Sequence, residues 1–230
     1  MSVLHHHQLS AGSRYVRLVL AEYGETPTFV DVRPWERRET FLALNPAGTL
    51  PVFVDDNEAV VADPAVIAEY LFETRGARAD ETALMPAGAA ERAEIRRLVA
   101  WFLGKFDSEV TAYLVNEKAF KRQMEAGGVG SEPNPAAIRA ARSNIRYHMR
   151  YIGHLMARRK WLGGSEMSFA DLAAAAELSA IDYLGEVPWE EDAQAKDWYA
   201  RVKSRPSFRP ILADIVRGNL PAAHYADLDF

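Results

Sequence analysis

Several sets of residues in this chain have side chains suited to chemistry. His5, His6 and His7 stand in a row near the start. Three imidazoles invite a metal, but successive side chains of a strand point to opposite faces, so at most His5 and His7 share one. Zinc needs three or four converging ligands, and no carboxylate spacing supplies the rest, so no metal is expected. Ser10 and Ser13 stand at the start of a helical apolar pattern, where a hydroxyl caps the first turn. Asp63-Pro64 precedes another such pattern: aspartate is a strong N-cap and proline is favoured at the first helical position. Arg139, Arg142, Arg146 and Arg150 recur at helical spacing and lead to Arg158-Arg159-Lys160. Such a stripe reads as a solvated helix face, or as a seat for an acidic protein partner.

The elements that must position these residues follow from periodicity. Val3–Gln8 is expected to be a strand. Val16, Val19, Leu20 and Tyr23 fall at i, i+3, i+4 and i+7, one face of a helix over Ser13–Tyr23, and Gly24 stops it. Thr28–Val32 is β-rich, and Trp35–Leu44 reads as short helix or loop. Asn45–Pro51 is a loop by its proline and glycine content. Val52–Val54 and Ala59–Val61 flank a polar turn and form a hairpin. The helix opened by Asp63-Pro64 takes its apolar face from Val66, Ile67, Tyr70 and Leu71. The order is βαβ, loop, ββα.

Beyond this the chain is almost all helical in pattern. Ile95, Leu98, Val99, Phe102 and Phe106 mark a long helix reaching towards Met124, and 127–135 is a break. Ile138, Ile145, Met149, Ile152 and Leu155 mark the next helix. Ser168-Phe169-Ala170-Asp171 opens a buried, alanine-rich helix with a capping-box-like start. Helices are expected over Trp198–Lys203 and Ser207–Val216. The domains read as 1–78, a linker at 79–88, a helical part at 89–219 and an acidic tail at 220–230.

Composition narrows the function classes. The chain has 230 residues, a net charge of −5 and no cysteine. This excludes a cysteine nucleophile, a CxxC redox pair and a thiolate metal site. The acidity is concentrated: residues 1–80 carry 7 Lys+Arg against 12 Asp+Glu, and the remainder carries 20 of each. Nothing in this balance suggests a nucleic-acid partner. No run of eighteen apolar residues occurs and the start lacks a basic-then-apolar leader, so no membrane insertion and a cytoplasmic location are expected.

Three motifs together carry a family resemblance over about residues 3–216. Asn45-Pro46-Ala47-Gly48-Thr49-Leu50-Pro51-Val52-Phe53 looks like the loop entering the third strand of glutathione S-transferases, where the proline is cis. Ser168-Phe169-Ala170-Asp171 resembles the capping motif of their sixth helix. Trp198-Tyr199-Ala200-Arg201 with Arg205-Pro206-Ser207 resembles their C-terminal helices. The resemblance implies a thioredoxin-like α/β N-terminal domain followed by an all-α C-terminal domain. It also implies a two-fold homodimer.

The resemblance implies a place for glutathione as well, and there this chain departs from the pattern. Enzymes of the family lower the pKa of the glutathione thiol with a hydroxyl near the first helix. Ser10 stands there, with Ser13 behind it, but Ala11 follows where serine-using members carry proline. Glutathione-binding members carry an acidic residue then serine where this chain has Asp63-Pro64. That serine's hydroxyl and backbone N–H grip the γ-glutamyl carboxylate at a helix N-terminus. Pro64 offers neither group. Two hydrogen bonds to a charged group are worth about 3–6 kcal/mol, or roughly 10²–10⁴ in affinity. Leu50, Pro51 and Asp63 are therefore expected to be a vestigial glutathione site, Ser10 a vestigial catalytic candidate, and glutathione binding weak or absent.

Two functions are compatible with this reading. One is a glutathione transferase in which Ser10 activates the thiol against small electrophiles. The other, favoured by the chain length, Asp63-Pro64 and the acidic tail, is a non-catalytic homodimer. These features resemble the branch of the family that binds FtsZ filaments, curving or bundling them at the bacterial division site. The expected partner contacts are the tail residues Tyr225, Asp227, Leu228 and Phe230. Lys118, Phe120 and Lys121 near the end of the long helix come next, and Trp35 is a possible hot-spot anchor.

Overall fold

The computed structural model describes residues 1–76, 83–128 and 131–228. Its first part is a four-stranded sheet in the order β2-β1-β3-β4. Strand β1 (Val3–His6) pairs in parallel with β2 (Thr28–Asp31), Val3 facing Thr28. It pairs antiparallel with β3 (Val52–Val54), which continues antiparallel to β4 (Val60–Ala62). Parallel neighbours need a crossover, and α1 (Ala11–Glu22) supplies it. A short α2 (Glu39–Leu44) precedes the loop, and Leu50-Pro51 is cis. Helix α3 (Pro64–Arg75) then returns against α1. The βαβ-ββα order is the one expected from periodicity.

The second part holds α4 (residues 89–126), α5 (Pro135–Met156), α6 (Phe169–Tyr183), α7 (Ala193–Lys203) and a short α8 (Arg209–Leu212). The long helix α4 widens to i→i+5 turns over Trp101–Thr111 and Asn116–Phe120. Helix α6 is buried along all 15 of its residues, which explains its alanine content: small side chains let neighbouring helices close in on every side. One apolar cluster runs from Leu4 and Val16 through Leu98 and Ile145 to Trp198, so sheet and helices share a core.

Several boundaries shift from expectation. Val66 is 53% exposed, because the buried face of α3 is centred on Ile67, Ala68 and Leu71. Helix α7 starts before Trp198, with the Asp192 carboxylate accepting from Ala195 N. The last helix stops at Leu212; Val216 instead pairs in a bridge with Asn219. Residues 77–82, at the end of the expected first domain and the start of the expected linker, lie outside the described residues.

Candidate functional site

The start of α1, the loop before β3 and the start of α3 meet at one end of the strands, facing α4 and α6. Between them lies a cavity of about 510 Å³ whose lining includes Ser10, Leu50, Asp63, Pro64, Asp107 and Glu177. The structure thus brings together Ser10, Leu50 and Asp63. Pro51 lies directly behind: a Cβ on Gly12 would come within 3.4 Å of its ring and 3.1 Å of that of Pro64. Glycine at this position lets α1 approach both prolines without their rings giving way by the few tenths of an ångström a Cβ would require. Ser10 is the N-cap of α1, its Oγ accepting from Ser13 N at 3.2 Å. Ser13 is buried and accepts from His7 N at 3.3 Å.

The start of α3 decides what this end of the sheet can bind. The four amides of a helix's first turn normally remain available to an anion. Here Pro64 has no N–H. Ala65 N and Val66 N both donate to Asp63 Oδ1, at 2.8 and 3.2 Å. Ile67 N donates to the Asp63 carbonyl at 2.9 Å. Pro64 supplies no amide and those of Ala65 and Val66 are taken by the cap, so none of these three positions offers an N–H to a ligand carboxylate. Asp63 holds a backbone φ of +78°, an uncommon conformation worth about 1–3 kcal/mol of strain, which the double cap offsets.

The expected partner contacts fare differently from one another. Tyr225 is corrected: it is fully buried. Its hydroxyl accepts from Arg14 Nη1 at 2.8 Å and donates to the Ile211 carbonyl at 3.2 Å. Arg14, itself buried, also donates to Ser179 Oγ and the Gln8 carbonyl. The tail is therefore folded onto the body as far as Tyr225, because a buried guanidinium needs that phenol. Asp227 and Leu228 are exposed, and Phe230 lies outside the described residues. Lys118 is paired with Glu186, which also receives Arg142, and Lys121 pairs with Glu117 at 2.6 Å. Both ammonium groups are thus already engaged within the chain. Trp35 packs neither beneath its own loop nor free in solvent: its ring meets Phe120 at 5.0 Å and His7 at 5.7 Å.

The histidines diverge as strand alternation requires. His5 meets Phe41, while His6 meets Phe29 and His7 meets Phe120. Burial, with the nearby Arg17 and the flanking histidines, pushes His6 down to about 3. Burial also lowers His7, whose Nδ1 accepts from Leu9 N; its Nε2 therefore carries the proton and donates to Gln123 Oε1. Among the described residues no three metal-ligating groups converge. Along the arginine stripe, Arg142 binds Glu186, and Arg146 and Arg150 both reach Glu191. These pairs tie α5 to the segment after α6.

Sequence reasoning missed two groups. Glu177 of α6 and Asp107 and Thr111 of α4 contribute to the cavity on its helical side. Their signal was present: an acid inside a buried alanine-rich run, and polar residues four apart among Leu103, Phe106, Val110 and Leu114. Arg33, Arg122 and Arg217 line a second cavity of about 210 Å³, and nothing in their spacing could have joined them.

Comparison with known proteins fits this architecture. The family model described as "Glutathione S-transferase, N-terminal domain" matches residues 9–74. FtsZ-localized protein A of Caulobacter vibrioides is 46% identical, the match covering 99% of this chain and 97% of that protein. Glutathione S-transferase 2 of Saccharomyces cerevisiae is 26% identical over 86% of this chain and 83% of its own length. Among solved structures, a glutathione S-transferase from Sinorhizobium meliloti 1021 superposes with a TM-score of 0.96 at 50% identity, covering all of both chains. FzlA from C. crescentus superposes at 0.92 with 46% identity, covering 100% of this chain and 99% of that one. With the family model over its first part and half its residues identical to a solved glutathione S-transferase along the whole chain, the chain belongs to the glutathione S-transferase family.

Proposed function

We propose that this chain is a non-catalytic homodimer on the glutathione-transferase scaffold that binds FtsZ filaments and promotes their curvature or bundling during bacterial constriction. It would act in the cytoplasm at the division site. The observation that carries the reading is the chain-long similarity to a protein named for its localisation to FtsZ. The start of α3 supports the non-catalytic part, since Pro64 has no N–H or hydroxyl and the neighbouring amides of Ala65 and Val66 already have partners. The exposed Val60 and Val66 support a dimer. They lie on the β4–α3 side of the sheet, and Val66 also lines an apolar cleft of about 370 Å³ with Met85, Val99 and Phe169. A two-fold pair would present each contact twice, and a filament rewards that by avidity. Asp227 and Leu228 are the first contacts proposed, with the seam around Trp35, Phe120, Lys118 and Lys121 second.

Co-sedimentation with polymerised FtsZ tests the reading: the chain should enter the pellet only when polymer is present, and its absence there overturns the proposal. Asp227→Lys should weaken pelleting roughly fivefold, the ~1 kcal/mol of an exposed ion pair, with an unchanged circular dichroism spectrum. The second reading is a transferase using Ser10, favoured by the position of that residue at the cavity and by the names of several relatives. Calorimetry separates the two. Millimolar glutathione should give no saturable heat, and micromolar affinity would restore the enzyme.

A further inference from the structure

The helical side of the same cavity carries chemistry that neither reading uses. Glu177 and Thr111 each expose only 1% of their surface, and Glu177 Oε2 and Thr111 Oγ1 have no hydrogen-bond partner among the described residues. A buried acceptor left this way costs about 1–3 kcal/mol, more when charged. Asp107, half-buried, lines the same cavity nearer to solvent. Among the described residues neither carboxyl has a salt bridge. The remaining walls are largely apolar, with Leu9, Leu103 and Val115 among them.

We propose that this cavity binds a small organic cation, an ammonium group on an apolar body, with Glu177 and Asp107 as its anionic receptors and Thr111 as an added acceptor. Four observations select that class. An anion gains nothing at either end: two carboxyls face it here, and at the start of α3 the amides of Ala65 and Val66 are already taken by Asp63. A metal ion would need a third ligand, and among the described residues no group of three is in place. A cavity of about 510 Å³ falls within the usual range for small-molecule sites, and apolar walls with a few convergent polar groups are their common composition. Burial and the neighbouring Asp107 push the Glu177 carboxyl well above the ordinary range, and burial lifts Asp107 to about 6. An incoming ammonium is the partner that relieves both. The inference requires neither a dimer nor a filament, so it stands apart from the reading above.

Ligand-observed NMR with three probes of one shape tests it on the full chain. Benzylammonium should bind at least tenfold tighter than benzyl alcohol, and benzoate should show no saturable binding. Glu177→Gln should remove that preference, and Asp107→Asn should reduce it severalfold. Glu125→Gln, an exposed acid away from the cavity, should leave it intact. Equal binding of the three probes, or no binding of benzylammonium, overturns the proposal on the unmodified protein alone. So does a folded Glu177→Gln variant that retains the preference.

Discussion

Asp171 and Glu177 share helix α6, and both are buried, yet they have opposite surroundings. Asp171 Oδ1 accepts from Leu162 N and Trp198 Nε1, and its Oδ2 accepts from the amide and hydroxyl of Ser168, all within 2.9–3.0 Å. Burial raises its pKa while these four donors pull it back. Glu177 has an unpartnered Oε2 and only the Thr111 hydroxyl to draw its pKa back, so burial together with Asp107 raises it well above normal. A buried acid surrounded by donors is a structural clamp: it joins the start of α6 to Leu162 and to α7. A buried acid with so few donors adds little to stability and points to a role outside folding.

That contrast can be broken in order of expected effect. Asp171→Ala leaves two buried amides and an indole N–H without an acceptor and should lose about 3–5 kcal/mol in denaturant unfolding. A loss below 1 kcal/mol would mean that the clamp is not structural. The pH dependence comes next. Asp107 has a folded pKa of about 6, raised by burial, against roughly 3.9 in the unfolded chain. Between those values the folded state keeps a proton that the unfolded state has released. Stability should therefore fall as pH rises from about 4 to 6, by about 1–2 kcal/mol after discounting for solvent at a half-buried group. Asp107→Asn should flatten that slope, and an unchanged slope would put the titration elsewhere. Asp63→Ala should cost about 1 kcal/mol, the ordinary value of an N-cap, and frees the amides of Ala65 and Val66. Pro64→Ser with Asp63 kept restores the acidic-then-serine pair and should bring glutathione binding into the measurable range by calorimetry. Glu177→Gln should have the smallest effect on stability, within about 1 kcal/mol at neutral pH or slightly stabilising, because a buried unpaired acid opposes folding.

Much of the fold could be read from local pattern. The hairpin around Asp55–Glu58, the caps at Ser10 and Asp63 and the capping box at Ser168 and Asp171 each depend on neighbours within a few residues. The same holds for the first half of the candidate site: Pro64 lacks an N–H wherever it stands. Val66 was misplaced because periodicity shows which residues can share a face, not which face the core selects. Tyr225 was misread for a related reason. A short acidic tail reads as solvent-facing, and only the position of the buried Arg14, far away in the chain, explains why one of its aromatics turns inward.

The chain's own residue order determined the alternation of elements, the helix starts and the loss of a carboxylate-gripping hydroxyl, since capping and periodicity act between residues close in sequence. Tertiary structure alone decided that Glu177, Asp107 and Thr111 meet across α4 and α6, that Trp35 packs at a tilt against Phe120, and that the tail closes over Arg14. Those pairings depend on where whole helices come to rest, and that is set by burying one shared apolar core.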